Sequence, residues 1–178
     1  EQRSLEAQKN NLKKNIEKYK DILLNSKTSY VGGNLEGSLT IVEFIDYNCG
    51  FCKKFHPELV ELIEDTPEAR YIIKEFPILG PESVLASKAS IAIFLHHGGE
   101  IYRAFTDRLL RTNEKITFEK VISLVEQVGG NRKVVQKYIE SKEVREILAE
   151  NYNLGKILDI QGTPTFVIGS EVVRGYKS

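Results

Sequence analysis

Apolar positions recur along this chain with two different periods, and the change of period divides it. In residues 1–24, Leu5, Leu12, Ile16, Tyr19 and Leu23 are spaced 7, 4, 3 and 4 apart, with Lys9 in the missing place. That is a heptad seam on an otherwise polar helix of Lys, Glu, Gln and Asn. A stripe so narrow predicts no docking on a globular core. It leaves two readings: a solvated terminal helix, or a short coiled coil joining copies of the chain. The next stretch, NSKTSYVGGNLEGS (25–38), reads as a linker or loop with a short strand around Tyr30 and Val31.

The period then shortens. LTIVEFIDY (39–47) is β-branched and aromatic and predicts a strand. KKFHPELVELIED (53–65) returns to helical spacing through Phe55, Leu59, Leu62 and Ile63, and RYIIKEFPIL (70–79) predicts a second strand. Residues 81–150 read as helical, with candidates at 82–97, 99–111, 117–128 and 131–140, followed by 142–157. Strands at 165–168 and 171–174 flank a turn at Gly169 and Ser170. A βαβ unit, a helical block and a closing hairpin predict an α/β domain over 28–178, with a helical insertion at about 81–150 and an N-terminal arm over 1–27.

Composition narrows the function. Hydrophobic residues make up 41% of the 178, enough for a core without staples. Lys+Arg and Asp+Glu both number 25, so no general charge favours nucleic acid as a partner. No run of about 18 apolar residues predicts a membrane span. The start EQRSLEAQKNNLKK lacks the apolar core of a signal peptide, and the absence of methionine predicts a processed or trimmed chain.

Both cysteines lie in YNCGFCKKF, at Cys49 and Cys52. A structural staple is a poor reading, because so small a loop constrains the unfolded chain little. Zinc is poor too: Cys49, Cys52 and His56 give three ligands and no second CxxC completes a set, so no metal is expected. A redox pair fits best. The pair opens a helix, where unpaired N–H groups and the helix dipole favour a thiolate on Cys49. Cys52, three residues on, lies on the same face and within bridging reach. Gly50 leaves the thiol side open, and Lys53 and Lys54 are expected to be solvated. GTPTF (162–166) places a proline at the entry of a strand. His56, His96 and His97 receive no catalytic role; the last two end a helix, where a cation is favourable.

EFIDYNCGFCKKF, KEFPILGPES, the helical block and GTPTFVIG together resemble the DsbA-like thioredoxin-fold thiol–disulfide oxidoreductases, and among them the exported ScsC-type proteins. The likeness spans about residues 28–178. It implies a thioredoxin fold with an inserted helical domain, and a redox-active Cys49–Cys52 disulfide without other cofactor. Cys49 would be the exposed nucleophile and Cys52 the buried resolving cysteine. Pro164 would be cis, opposite the pair, and Thr163 would offer its backbone to an extended client segment. Glu43 matches a buried acidic position that relays the Cys52 proton; as a plain strand glutamate it would be exposed. Asp46 reads equally as a strand-end residue. A family member would continue into a C-terminal helix, whereas this chain stops at RGYKS.

The Gly-Phe between the cysteines and the threonine before the proline resemble the isomerase branch. The implied function is isomerase or reductase of misfolded or reduced exported proteins in a bacterial periplasm or envelope. An upstream redox partner would serve it, and residues 1–24 would make a homo-oligomer, a trimer in several ScsC-like proteins. A monomeric dithiol oxidase is the alternative, and a redox-inert peptide-binding module a third reading.

Overall fold

A computed structural model describes residues 1–175. The expectation for the end of the chain, RGYKS, falls largely outside that range. In chain order the elements are α1 (Gln2–Lys18), α2 (Lys20–Leu24), β1 (Tyr30–Gly33), β2 (Leu39–Ile45), α3 (Gly50–Glu64), β3 (Ala69–Glu75), α4 (Pro81–His97), α5 (Gly99–Arg111), α6 (Phe118–Gln127), α7 (Arg132–Tyr138), α8 (Lys142–Ile157), β4 (Thr165–Ile168) and β5 (Glu171–Arg174). The strands form a single five-stranded sheet in the order β1-β3-β2-β4-β5. β2 runs parallel to β3 and the other pairings are antiparallel. The β2–α3–β3 crossover therefore sets α3 against the middle of the sheet.

Successive strand side chains face opposite ways, and the two faces bury different sets. Ile41 and Ile45 of β2, with Tyr71 and Ile73 of β3, pack against α3 and the helices of the insertion. Val42, Phe44 and Ile72 pack on the other face against Leu154 and Leu158 of the α8 end. A third cluster joins α4 to α8 through Ile91, Ala92, Val144, Ile147 and Leu148. Helix starts follow local chemistry. The side chains of Thr117, Asn131 and Ser141 each accept a backbone N–H at the starts of α6, α7 and α8. Gly98, at φ +88°, permits the sharp turn between α4 and α5.

The N-terminal arm departs from expectation twice. It breaks at Tyr19 (φ −106°, ψ 17°), although no glycine or proline marks the place. Beyond the break, Leu23 is 1% exposed, and it joins Ile16 in the cluster on the second sheet face. The narrow stripe does dock. Burying one leucine contributes about 1.5–3 kcal/mol toward holding this segment. Polar clamps reinforce it: Lys74 Nζ donates to the Ile22 carbonyl at 2.9 Å and Arg70 Nη1 to that of Leu24 at 2.8 Å. These basic groups satisfy carbonyls at the end of α2 that the helix leaves unpaired. The amide of Asn15 reaches the Ile157 carbonyl at 3.1 Å. Of the heptad positions, Leu5 stays exposed and Leu12 half-buried.

The second strand is also shorter than predicted, ending at Glu75 rather than residue 79. Asp46 supplies the reason. Its buried carboxylate accepts from the N–H groups of Ile78 and Leu79 and turns that segment off the sheet.

Candidate active site

Cys49 is itself the N-cap of α3. Its backbone is extended (φ −77°, ψ 116°), and its Sγ accepts the Cys52 N–H at 3.2 Å. Asp46 fixes the turn before it. That side chain accepts from Asn48 N–H at 2.8 Å and from Ser83 Oγ at 2.6 Å, and its carbonyl accepts the Cys49 N–H. It is a fully buried brace rather than a loose strand-end residue. Gly50 faces open space, as expected, and Phe51 is 57% exposed between the two cysteines.

Across from the pair, the Thr163–Pro164 peptide is cis. The Thr163 carbonyl accepts from the Cys49 thiol at 3.1 Å, and Gly175 N–H donates to the Pro164 carbonyl, closing the loop. Phe55 of α3 meets Phe166 of β4 edge to face at 5.5 Å and holds helix and loop together beneath the cysteines. The loop corrects one expectation. Cys49 is 6% exposed against 1% for Cys52, so both are buried, because the Thr163–Pro164 segment covers the first. Their difference is electrostatic. Both are free thiols. The Cys49 thiol is pushed down to about 6, first by the hydrogen bond from the Cys52 side chain. Thr163 and the N–H groups of Cys52 and Phe51 also lower it, against the opposing effect of burial. The thiol contact to the Thr163 carbonyl favours the protonated form, and these donors outweigh it. The Cys52 thiol is pushed far up by the same hydrogen bond and by burial.

Glu43 lies on the face of β2 that looks at α3 and is 2% exposed, which settles it as a buried carboxylate. The Tyr71 hydroxyl donates to its Oε1. Burial raises its pKa to about 7, opposed by Tyr71 and by the charge of Arg103; Cys49 adds to the rise. Its charge in turn raises Cys52.

His56 is 1% exposed and its Nε2 meets Asp107 Oδ1 at 2.7 Å, tying α3 to α5. His96 stacks on Tyr138 with ring centres 3.7 Å apart, and His97 Nε2 accepts the Asn131 N–H, both at the end of α4. Lys53 is not simply solvated: its Nζ donates to the Thr112 carbonyl at 2.9 Å.

Tyr71, Arg103 and a second buried acid, Glu75, were not singled out by sequence. Glu75 takes hydrogen bonds from Tyr47 at 2.6 and 2.8 Å and from Tyr102 at 3.3 Å; burial pushes its pKa up to about 8. The available signal was strand alternation: Glu43 shares a face with Ile41 and Ile45, and Glu75 shares one with Tyr71 and Ile73, and a charge on such a face asks for a partner.

The fold and site have named counterparts. Residues 25–178 match the family model described as thioredoxin. Proteus mirabilis ScsC, in a linker-deletion mutant, superimposes with a TM-score of 0.89 at 27% identity, over 99% of this chain and 81% of that one. The thiol–disulfide exchange protein alpha-DsbA2 of Wolbachia pipientis gives 0.88 at 28%, over 97% and 92%. The probable disulfide bond formation protein D of Bacillus anthracis is 24% identical over 80% of this chain and 70% of its own. The chain also spans 22% of a Salinispora tropica Na(+)/H(+) antiporter that it matches at 21% identity. A helix-capping dithiol under a Thr-Pro loop, on a sheet shared with thiol–disulfide oxidoreductases, identifies the chemistry as thiol–disulfide exchange. With a family model covering all but its first 24 residues, the chain belongs to the thioredoxin family.

Proposed function

We propose that the chain is a disulfide isomerase or reductase of exported proteins, with Cys49 as nucleophile and Cys52 as resolving thiol. The observation that carries this reading is the asymmetry of the pair, Cys49 at about 6 and Cys52 far above its ordinary value. The lowered Cys49 pKa supplies a thiolate at neutral pH, and the Gly-Phe between the cysteines and the threonine before Pro164 resemble the isomerase branch.

In this reading the Cys49 thiolate attacks a client disulfide, forming a mixed disulfide and expelling a client thiolate. A second client thiolate then attacks the bridge and releases Cys49, completing isomerisation. Alternatively Cys52 gives its proton to Glu43 and attacks Cys49, which leaves the client reduced and the pair oxidised. An upstream partner must then reduce the pair. Thr163 and Pro164 border the site where a client segment would lie. An exported location is supported by likeness to a periplasmic thioredoxin-like protein of Salmonella enterica at 27% identity and a TM-score of 0.80.

The monomeric dithiol oxidase remains the second reading because of the arm. Ile16 and Leu23 are spent on the domain itself, leaving Leu5 and part of Leu12 for a trimer seam. Reactivation of scrambled, oxidised ribonuclease in a glutathione buffer, with Cys49→Ser as control, tests the proposal. Cys49-dependent reactivation is expected. Fast oxidation of a reduced client without reactivation would replace it with the oxidase. Light scattering on the parent protein and on a Leu5→Glu, Leu12→Glu double variant, which spares the docked Ile16 and Leu23, tests the oligomer, which should be lost in the variant.

A further inference from the structure

Glu43 is buried beneath the cysteines, so a proton it takes from Cys52 needs a way out. Four groups act on it: the Tyr71 hydroxyl of β3 by a hydrogen bond, and Cys49 at the N-cap of α3, Cys52 within α3 and Arg103 of α5 by their charge. Two of these, Tyr71 and Arg103, also line a cavity of about 780 Å³ between α3, α5 and the β1 edge. Its rim includes the exposed residues Gly33, Asn34 and Glu64, so it opens to solvent. Arg103 lies over the Tyr71 ring, its guanidinium carbon 5.5 Å from the ring centre. Its Nη1 is buried with no hydrogen-bond partner in the protein. A buried guanidinium donor without a partner is costly, and water in this cavity would satisfy it.

We propose that Tyr71 and Arg103 form the proton exit of the site: the Tyr71 hydroxyl carries the proton from Glu43 to water in this cavity, and Arg103 orients both. The inference rests on the relay role proposed for Glu43. As Cys52 closes on Cys49, its S–H proton passes to the Glu43 carboxylate, and the Cys49–client bond breaks with its electron pair leaving on the client sulfur. Protonated Glu43 then gives its proton to the Tyr71 oxygen while the Tyr71 O–H proton passes to cavity water. Tyr71 is neutral before and after, and one proton has moved from Cys52 to solvent. No phenolate is needed, which matters because burial holds the Tyr71 hydroxyl well above its ordinary pKa. Tyr71 and Arg103 are thus positioning residues, acting through Glu43.

A chromogenic dithiobis-nitrobenzoate separates the steps in stopped flow. It releases one absorbing thiolate when Cys49 attacks and a second when Cys52 closes. Tyr71→Phe should leave the first phase within about twofold and slow the second roughly 10- to 100-fold, up to the lower limit of about 100-fold for directly positioned proton transfer. Imidazole small enough to enter the cavity should restore the second phase. The pH profile of closure should change in Tyr71→Phe, and Arg103→Gln should slow closure more than Arg103→Lys. If Tyr71→Phe closes at the parent rate while Glu43→Gln is slow, the exit is overturned and the relay stands. If Glu43→Gln also closes at the parent rate, the relay itself falls. Slow closure without imidazole rescue or a changed pH profile means a structural role and overturns the exit. Should Tyr71→Phe not fold, the unsubstituted protein decides: closure slowed in heavy water and accelerated by imidazole supports the exit, and closure indifferent to both overturns it.

Discussion

Removing the Cys52 thiol perturbs the site at the interaction that contributes most to it. The leading cause of the low Cys49 pKa is the hydrogen bond from that side chain. With a pKa of about 6, Cys49 is roughly nine-tenths thiolate at neutral pH, against about 3% for an ordinary thiol near 8.5. The gain in thiolate is about thirtyfold. Nucleophilicity falls with basicity at a Brønsted slope of about 0.4–0.5, so the lower pKa gives back roughly tenfold. The neutral rate should therefore change by no more than about threefold when the donor is lost, whereas the titration midpoint should move by a unit or more. The midpoint is the observable to use. Alkylation by iodoacetamide, followed from about pH 4 to about pH 9, should give a midpoint near 6 in the parent protein. In Cys52→Ala it should rise toward ~8.5 without reaching it, because the N–H donors of Phe51 and residue 52 remain. Cys52→Ser keeps a hydroxyl donor and should titrate between the two. A Cys52→Ala midpoint still at 6 would refute the account and assign the depression to the helix N-terminus alone.

Two further outcomes follow from burial. Leu23→Ala should destabilise the whole domain by about 2–5 kcal/mol in urea unfolding, as for other buried leucines, while Leu5→Ala should stay within about 0.5 kcal/mol; equal effects would show that the arm does not dock. Glu43 has a pKa raised from 4.5 to about 7 by burial, so the fold keeps a proton that the unfolded chain releases. Its contribution is neutral below about 4.5, becomes destabilising as pH rises, and reaches its full cost above about 7. Glu43→Gln should then melt above the parent at pH ~8, by a stability difference of about 3 kcal/mol, and alongside it at pH ~4. A variant that melts below the parent at both would reverse the assigned sign.

Local chemistry made much of this protein legible. The spacing of apolar residues placed α5 and α8 at their observed bounds, because amphipathic periods and caps act within a few residues of chain. Cys49 and Cys52 at a helix start were readable for the same reason: the capping N–H groups belong to the next turn. What sequence could not supply are contacts between distant segments. Cys49 is covered by a loop 114 residues away, which is why an expected exposed thiol is buried. Tyr71 meets Glu43 across 28 residues through strand register, and Arg103 joins them from a helix of the insertion. The arm shows the contrast within one helix. Its apolar residues recur at heptad spacing, but a heptad seam and a docking stripe use the same leucines. The sheet face that offers Val42, Phe44 and Ile72 to Ile16 and Leu23 exists only once the chain has folded. Periodicity determined which residues seek burial, and tertiary structure decided what buries them.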